Sequence, residues 1–369
     1  MQVLAVDVGT GTQDVLLFDT EREPENALKM VMPSPTALLA RSIRAATEAG
    51  HDLLLTGVTM GGGPCGWAAA DHLKAGHRLF ATPDAARTFN DDLDEVAAMG
   101  VQVVGEDEVA GLSGFHHLPM LDFDYQALSW AFHAFGVDLD GVELLAVAVF
   151  DHGAAPPGYS DRLFRFEYLA QRIQTGTGLA AFAFERDQIP PSMTRLQAVA
   201  ATTPADRPLV VMDTAPAAVL GALEDPHVSC HSSALVANVG NMHTLAFHLR
   251  DTGGSRAIAG LFEHHTHLLN QARLEGLLAQ LVAGTLSHED LFAAHGHGAL
   301  VLDPDPSGLD FVAVTGPRRG LLAGSKLRPY LAVPHGDMMM AGCWGLVRAC
   351  AQLLPWAAGA IEAALNSPP

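Results

Sequence analysis

The sequence predicts an α/β protein built in two halves. Along the whole chain, apolar runs of strand length alternate with runs of helical spacing, the pattern of α/β folds. A strand–turn–strand stretch opens the chain at residues 5–19, AVDVGTGTQDVLLFD, and the same grammar returns at 235–247, LVANVGNMHTLAF. The length of 369 residues also exceeds one ordinary domain. The polar, proline-containing stretch LEDPHVSCHSS marks the boundary, giving expected units of 1–225 and 226–369.

Residues 2–7 and 14–19 read as the arms of the opening hairpin. Helical spacing over 36–49 stops at Gly50 and leads into a strand at 53–58, LLLTGV. The loop MGGGP follows, then helices at 65–75 and 84–99 and a strand at 101–104. A strand at 143–150, ELLAVAVF, runs into DHGAAPPGYSDR, and a helix follows at 161–172. The strand PLVVM at 208–212 reaches Asp213 and a helix of small residues, TAPAAVLGA. The second half reads as strand, NVGNMHT and strand over 234–249, then a helix at 264–283 and a His-rich loop. A strand at 311–315 and a helix pair at 338–365 close the chain. Neither a low-complexity tract nor a solenoid repeat interrupts this order.

A net charge of −20 disfavours nucleic acid and anionic membranes as partners. It leaves room for an anionic ligand, because backbone N–H groups and Mg²⁺ bind phosphate inside acidic proteins. The apolar runs fall short of the roughly 20 residues that span a bilayer, and the start carries no basic, cleavable leader pattern. A cytoplasmic protein is expected. Cys65, Cys230, Cys343 and Cys350 are scattered, with no CxxC or CxxxCxxC among them. They read as reduced, mostly buried thiols, so this chain alone is not expected to hold an iron–sulfur cluster.

Three phosphate-binding devices begin with glycine after a strand. A P-loop needs GxxxxGK[ST] opening a helix, but here the next residues, VLLF, form a strand. A dinucleotide fingerprint needs GxGxxG, and its third glycine position is Asp14. The third device is a hairpin whose turn N–H groups face a triphosphate while the preceding carboxylate holds Mg²⁺. Asp7 is then the metal candidate, and Gly9, Thr10, Gly11, Thr12 and Gln13 are the phosphate candidates. The plain alternative is a tight hairpin with glycines chosen for positive φ.

Two such hairpins, one per half, resemble the actin, Hsp70 and sugar-kinase superfamily. That resemblance implies two ribonuclease H-like domains with a nucleotide between them, and ATP and Mg²⁺ as cofactors. It adds Gly240 and Asn241 to the phosphate candidates, while Asn238 stands where many members carry an acid. The stretch VVMDTAPAAVLGALED, followed by the second hairpin, is similar to the FGGY carbohydrate kinases. The matching positions are Asp213, Ala217, Ala218, Gly221 and Ala222, and the match implies Asp213 as the general base. Asp213 also suits a helix N-cap.

The loop TGVTMGGGP looks like the substrate side of those kinases, with Thr59, Gly61, Gly62 and Gly63 as contacts. FVAVTGPRRGLL looks like the adenine-covering turn, which would give Gly316 and Gly320 close approach and Arg318 or Arg319 a stacking role. HGDMMMAGCWGLVRA resembles the closing helix, with Gly342 and Gly345 at a tight seam. Taken whole, the chain also resembles a family labelled pyruvate formate-lyase activating enzymes, through TGVTMGGGP, DHG, DTAPAA, NVGNMHT and HGHGA. A radical activating enzyme of that type needs CxxxCxxC, which this sequence lacks.

Eighteen histidines are many for this length. In FEHHTHLL, helical spacing would put Glu263, His264 and His267 on one face, with His288, His295 and His297 downstream. Neither HEXXH nor another specific ligand string is present, so these read first as polar surface and loop residues. Asp151 and His152 end a strand, where α/β proteins place functional groups, and join the substrate candidates. The expected function is ATP-dependent phosphoryl transfer to a small metabolite, one that could carry a hydroxyl. The alternatives are a nucleotide-driven ATPase switch acting on a partner enzyme, and a His-dependent metallohydrolase. A protein partner and a homo-oligomer stay open.

Overall fold

The computed structural model describes residues 1–176, 178–252, 255–305 and 311–366. The first sheet opens with an antiparallel meander of β1 (Gln2–Val8), β2 (Thr12–Asp19) and β3 (Leu28–Pro33). A second, smaller sheet follows, built from β4 (Leu53–Gly57), β5 (Leu79–Ala81), β6 (Gln102–Val103) and β7 (His116–Met120). All its pairings are parallel, in the order β6-β5-β4-β7. The chain then returns to the first sheet as β8 (Val142–Val149), β9 (Ala183–Glu185) and β10 (Leu209–Asp213), completing the order β3-β2-β1-β8-β10-β9.

The third sheet repeats this plan. It comprises β11 (Ser233–Val239), β12 (His243–Thr252), β13 (Ser255–His265), β14 (Gly298–Val301), β15 (Val312–Thr315) and β16 (Tyr330–Leu331). Its order is β14-β13-β12-β11-β15-β16, again an antiparallel meander continued by parallel strands from the far side of the first strand. Each large sheet thus carries the ribonuclease H-like core order, and the pair has the architecture of the actin-like ATPase fold. The small sheet is an insertion between β3 and β8.

Strand parity explains how the halves join. Side chains alternate across a strand. Val3 and Ala5 enter a core shared with Ala234 and Val236 of β11, whereas Leu4, Val6 and Val8 enter an outer core of the first sheet. Leu235, Ala237 and Val239 likewise enter an outer core of the third sheet. Both leading strands are therefore apolar on both faces, which is why they read as continuous apolar runs. Asp7 and Asn238 follow the inner parity of their strands, so both aim at the gap between the sheets.

Helices Thr214–Ala222 and Ala341–Leu353 fill the shared core. They cross at backbone contact. A Cβ on Gly221 would lie 1.7 Å from the Ala341 carbonyl oxygen, and one on Gly345 would lie 1.8 Å from that of Ala217. The closing helix also packs on β1, β2 and β8. A chain cut at residue 226 therefore does not divide the packing, because the last helices reach back over the first sheet.

Several elements differ from the sequence expectation. The helix expected over 264–283 begins only at Gln271, capped by the Asn270 side chain, and residues 255–265 are strand β13. Glu263 and His265 thus share a strand face, with His264 on the other. The helix expected over 84–99 is two short ones, Pro83–Ala86 and Leu93–Ala98, the second capped by Asp92. The closing helix pair is present as expected, as Ala341–Leu353 and Pro355–Leu365, but begins at 341 rather than 338.

Candidate functional site

A cleft open to solvent lies where the two hairpin turns face each other. The turns are built alike. Gly9 N–H donates to the Thr12 carbonyl at 2.9 Å, and Gly240 N–H to the His243 carbonyl at 2.9 Å. Neither glycine has positive φ. The requirement is space: a Cβ would approach those carbonyl oxygens to 3.0 Å at Gly9 and 2.7 Å at Gly240. The turns meet at Gly11, where a Cβ would stand 3.1 Å from Asn241 Nδ2.

Most candidate residues converge here. Asp7, Gly9, Thr10 and Thr12 line the cleft with Gly240, Asn241, Gly316, His152 and the whole Gly61–Gly63 loop. Gly11 and Gln13 belong to the same turn but do not line it, and Gln13 Nε2 donates to the Pro33 carbonyl. Gly316 has φ of 95°, and a Cβ there would meet Asn238 Oδ1 at 2.5 Å, so only glycine fits. Arg318 is exposed and outside the lining, and Pro317 takes the cleft-facing place beside it. Thr59 also lies off the lining.

The sequence reading missed a second carboxylate. Asp14 stands opposite Asp7 in the hairpin register, and it too lines the cleft. Both are buried, and the Oδ1 atom of each has no hydrogen-bond partner. Burial raises Asp7 to about 7, opposed by the Thr214 hydroxyl, which stands near without closing a hydrogen bond of its own. Burial and the facing Asp7 raise Asp14 to about 8. Gly342 makes room for the pair, since a Cβ there would fall 1.9 Å from Asp7 Oδ2. Two crowded carboxyls with orphaned oxygens fit a divalent cation, which satisfies both the charge and the lone pairs.

Asp213 departs from the role of a cleft-facing base. Met212 shares the inner core, so strand alternation turns Asp213 to the other face of β10. Its carboxylate is buried, accepts from Ala215 N–H at 3.2 Å as the helix cap, and is ion-paired with the Arg165 guanidinium. It does not line the cleft. Arg165 also donates to Glu263 at 3.2 Å and to the Asp151 carbonyl at 2.9 Å. Asp151 departs as well. Its carboxylate accepts from Gly153 N–H at 2.8 Å and Leu196 N–H at 2.9 Å, so it orders a loop and a helix start rather than meeting a ligand.

The wall of the cleft beside the Gly61–Gly63 loop is positioned by a pair that lies far apart in sequence. Arg195 donates to both Asp122 oxygens, at 2.6 and 3.0 Å, and to the Phe150 carbonyl at 2.6 Å. Asp122 in turn accepts from Gly61 N–H, and a Cβ at Gly61 would strike the Arg195 guanidinium at 2.6 Å. Thr36 donates to the Gly62 carbonyl and accepts from Cys65 N–H at 3.2 Å. Arg195, Phe150, His152 and His243 face the same space as this loop.

Behind that wall the histidines gather, though not on the expected helix. His264 is buried facing the His265 carbonyl, and His267 is exposed. His152, His243 and His297 instead come together from three elements. Burial holds His297 down to about 3, against the pull of Glu263. The four cysteines stay apart as free thiols, and burial pushes Cys65 up to about 11. None offers the clustered thiolates of an iron–sulfur site.

Strand order, the two facing turns and the cleft between them define a protein of the actin-like ATPase fold. The chain belongs to the family described as "Putative pyruvate format-lyase activating enzyme (DUF1786)", whose model matches residues 60–321. The curated proteins contain no match. Among solved structures it is similar to YeaZ from Pseudomonas aeruginosa, at 12% identity over 100% of both chains and a TM-score of 0.30. It is also similar to an inorganic polyphosphate/ATP-glucomannokinase from Arthrobacter sp. strain KM, at 13% identity over 99% of both chains and a TM-score of 0.33. A third is the ethanolamine utilization protein EutJ from Carboxydothermus hydrogenoformans, at 12% identity, 94% of this chain, 89% of that one and a TM-score of 0.32. Overlap at that level carries no functional argument. No described helix is long and apolar enough to cross a membrane.

Proposed function

We propose that the cleft binds ATP with Mg²⁺ and transfers the terminal phosphoryl group to a small acceptor. One observation carries this reading: two turns of matching geometry face each other beside a buried carboxylate pair with orphaned oxygens. Asp7 and Asp14 would hold the Mg²⁺, directly or through water, and the bound ion would neutralise phosphate charge. The turns at Gly9–Thr12 and Gly240–Asn241 would offer N–H groups to the phosphates, and Gly316 would let the base lie close. The Gly61–Gly63 loop with Arg195 would seat the acceptor, and an anionic group on it suits the guanidinium. Asp213 holds Arg165 and caps its helix in this reading.

A second reading, ATP hydrolysis that drives a partner enzyme, is favoured by that same pairing of Asp213, which engages the expected acceptor base in an ion pair. It also accommodates the family's description without radical chemistry. Thermal unfolding with and without Mg·ATP tests the shared part of both readings. A ligand at 100 times its Kd adds about 2.7 kcal/mol, and no shift with any nucleoside triphosphate would sink both. Turnover that rises with one small acceptor selects transfer, whereas turnover raised only by a protein selects the switch.

A further inference from the structure

We propose that His152, His243 and His297 form a binding site for a divalent transition-metal ion, zinc or ferrous iron, in the acceptor wall of the cleft. This goes beyond the nucleotide reading and does not depend on it. The three side chains each offer a ring nitrogen, and these nitrogens lie within 4.8 Å of one another. Three nitrogens held about 2.0–2.1 Å from one tetrahedral ion stand roughly 3.3 Å apart, so modest side-chain rotations close the site.

A second observation points to a ligand. His297 is fully buried, and neither ring nitrogen has a hydrogen-bond partner: its Nε2 stands 3.7 Å from Glu263 Oε1, too far for one. A buried imidazole left unpaired at both nitrogens is costly, and a coordinate bond removes that cost. Its ring packs 4.9 Å from that of His243. Glu263 supplies the support that metal-bound imidazoles normally have. It accepts from His243 Nδ1 at 3.0 Å, which fixes the ring and leaves Nε2 free to coordinate.

The charges agree. Glu263 meets the His243 ring and shares the Arg165 guanidinium with Asp213, two carboxylates to one cation in the connected network. A cation above them offsets the surplus negative charge. His152 and His243 line the cleft while His297 closes the site from behind, so the remaining coordination position opens into the cleft. Three histidines with one open position suit an ion that binds a substrate oxygen, whereas a structural zinc is closed by four protein ligands.

The test uses the full chain and Co²⁺, whose visible ligand-field absorption reports tetrahedral nitrogen coordination, with Zn²⁺ as competitor. The expected result is one tetrahedral Co²⁺ per chain, displaced by Zn²⁺ and unaffected by Asp7→Asn. His152→Ala, at the solvent-facing edge, should lose that absorption and weaken affinity beyond the about 10–100-fold that loss of a supporting partner costs. His243→Ala should do the same, with circular dichroism reporting that the fold persists. Sub-stoichiometric Co²⁺, octahedral spectra only, or affinity unchanged in folded His152→Ala would overturn the site. Loss of Co²⁺ in Asp7→Asn would move the metal to the carboxylate pair and overturn it equally.

Discussion

The two hairpins share a backbone and differ in chemistry. Asp7, Val8 and Gly9 of the first correspond to Asn238, Val239 and Gly240 of the second, and both turns close with the same glycine N–H bond. Across the register, Asp7 faces Asp14, whereas Asn238 faces Leu245. One turn therefore offers a pair of carboxylates at the cleft floor, and the other an amide above an apolar side chain. Duplicated backbone geometry presents N–H groups from two sides, while the charge that can hold a cation sits on one. The turn-closing residues differ too: Thr12 lines the cleft, and its counterpart His243 enters the histidine cluster.

The largest effect expected is on the tie between the halves. Arg165 joins Asp213 at the end of β10 to Glu263 in β13, with all three side chains almost wholly buried. Removing one partner of such a network leaves charge uncompensated in the interior, so Arg165→Met should cost about 3–5 kcal/mol. Chemical denaturation measures it. A loss within about 1 kcal/mol would mean that water reaches the carboxylates and that the halves are held by apolar contact alone.

Next is the asymmetry itself. Asp7→Asn should lower Mg·ATP-dependent turnover on the order of 10²–10³-fold, the scale for one preorganised electrostatic group. Asn238→Ala should leave turnover within a few-fold. Equal losses from the two changes would show that the hairpins act alike and that no metal belongs to the first.

What could be read from sequence was what local chemistry announces. Glycine turns after apolar strands expose both hairpins and with them Asp7, and the glycine run before a helix marks the Gly61–Gly63 loop. Asp14 is equally local, since pairing across the turn sets it against Asp7, but by motif it marks only the missing third glycine of a dinucleotide fingerprint. Asp213 was named by motif without its direction. Its strand, LVVMD, is apolar on both faces, so no polar alternation told inside from outside. Arg195 with Asp122, and the three histidines, meet through tertiary packing of distant segments, and no spacing rule connects them.

A smaller effect separates the carboxylates by pH. The Asp14 carboxyl, raised to about 8 in the folded chain, binds its proton more tightly folded than unfolded. Its stabilising contribution is complete below the ordinary carboxylate range, about pH 4, and is lost as pH rises through about 8. Without metal, wild-type stability relative to Asp14→Asn should therefore fall between pH 5 and about pH 9. Mg²⁺ competes with the proton, so its affinity should rise over the same window. Parallel stability curves for the two proteins would show that Asp14 is ionised throughout.

The smallest effect, and the sharpest on the comparison, belongs to Asn238→Asp, which gives the second turn the first turn's acid. Asn238 is nearly buried, lines the cleft and lies against Gly316, so the isosteric change needs no repacking. It does introduce a charge where phosphate is expected. Nothing across the register answers it, because the partner is Leu245 rather than a second carboxylate. Without Mg²⁺, the variant should bind ATP a few-fold more weakly through like-charge repulsion, and added salt should shrink the difference. Excess Mg²⁺ should recover part of that loss without adding a second tightly held ion, since one carboxylate makes a poorer cation site than two. Titration calorimetry at low and high Mg²⁺ reads both terms. Tighter nucleotide binding in the variant, or a second stoichiometric Mg²⁺, would show that the second turn is a metal site lacking only its acid, and the asymmetry would then reduce to a single side chain.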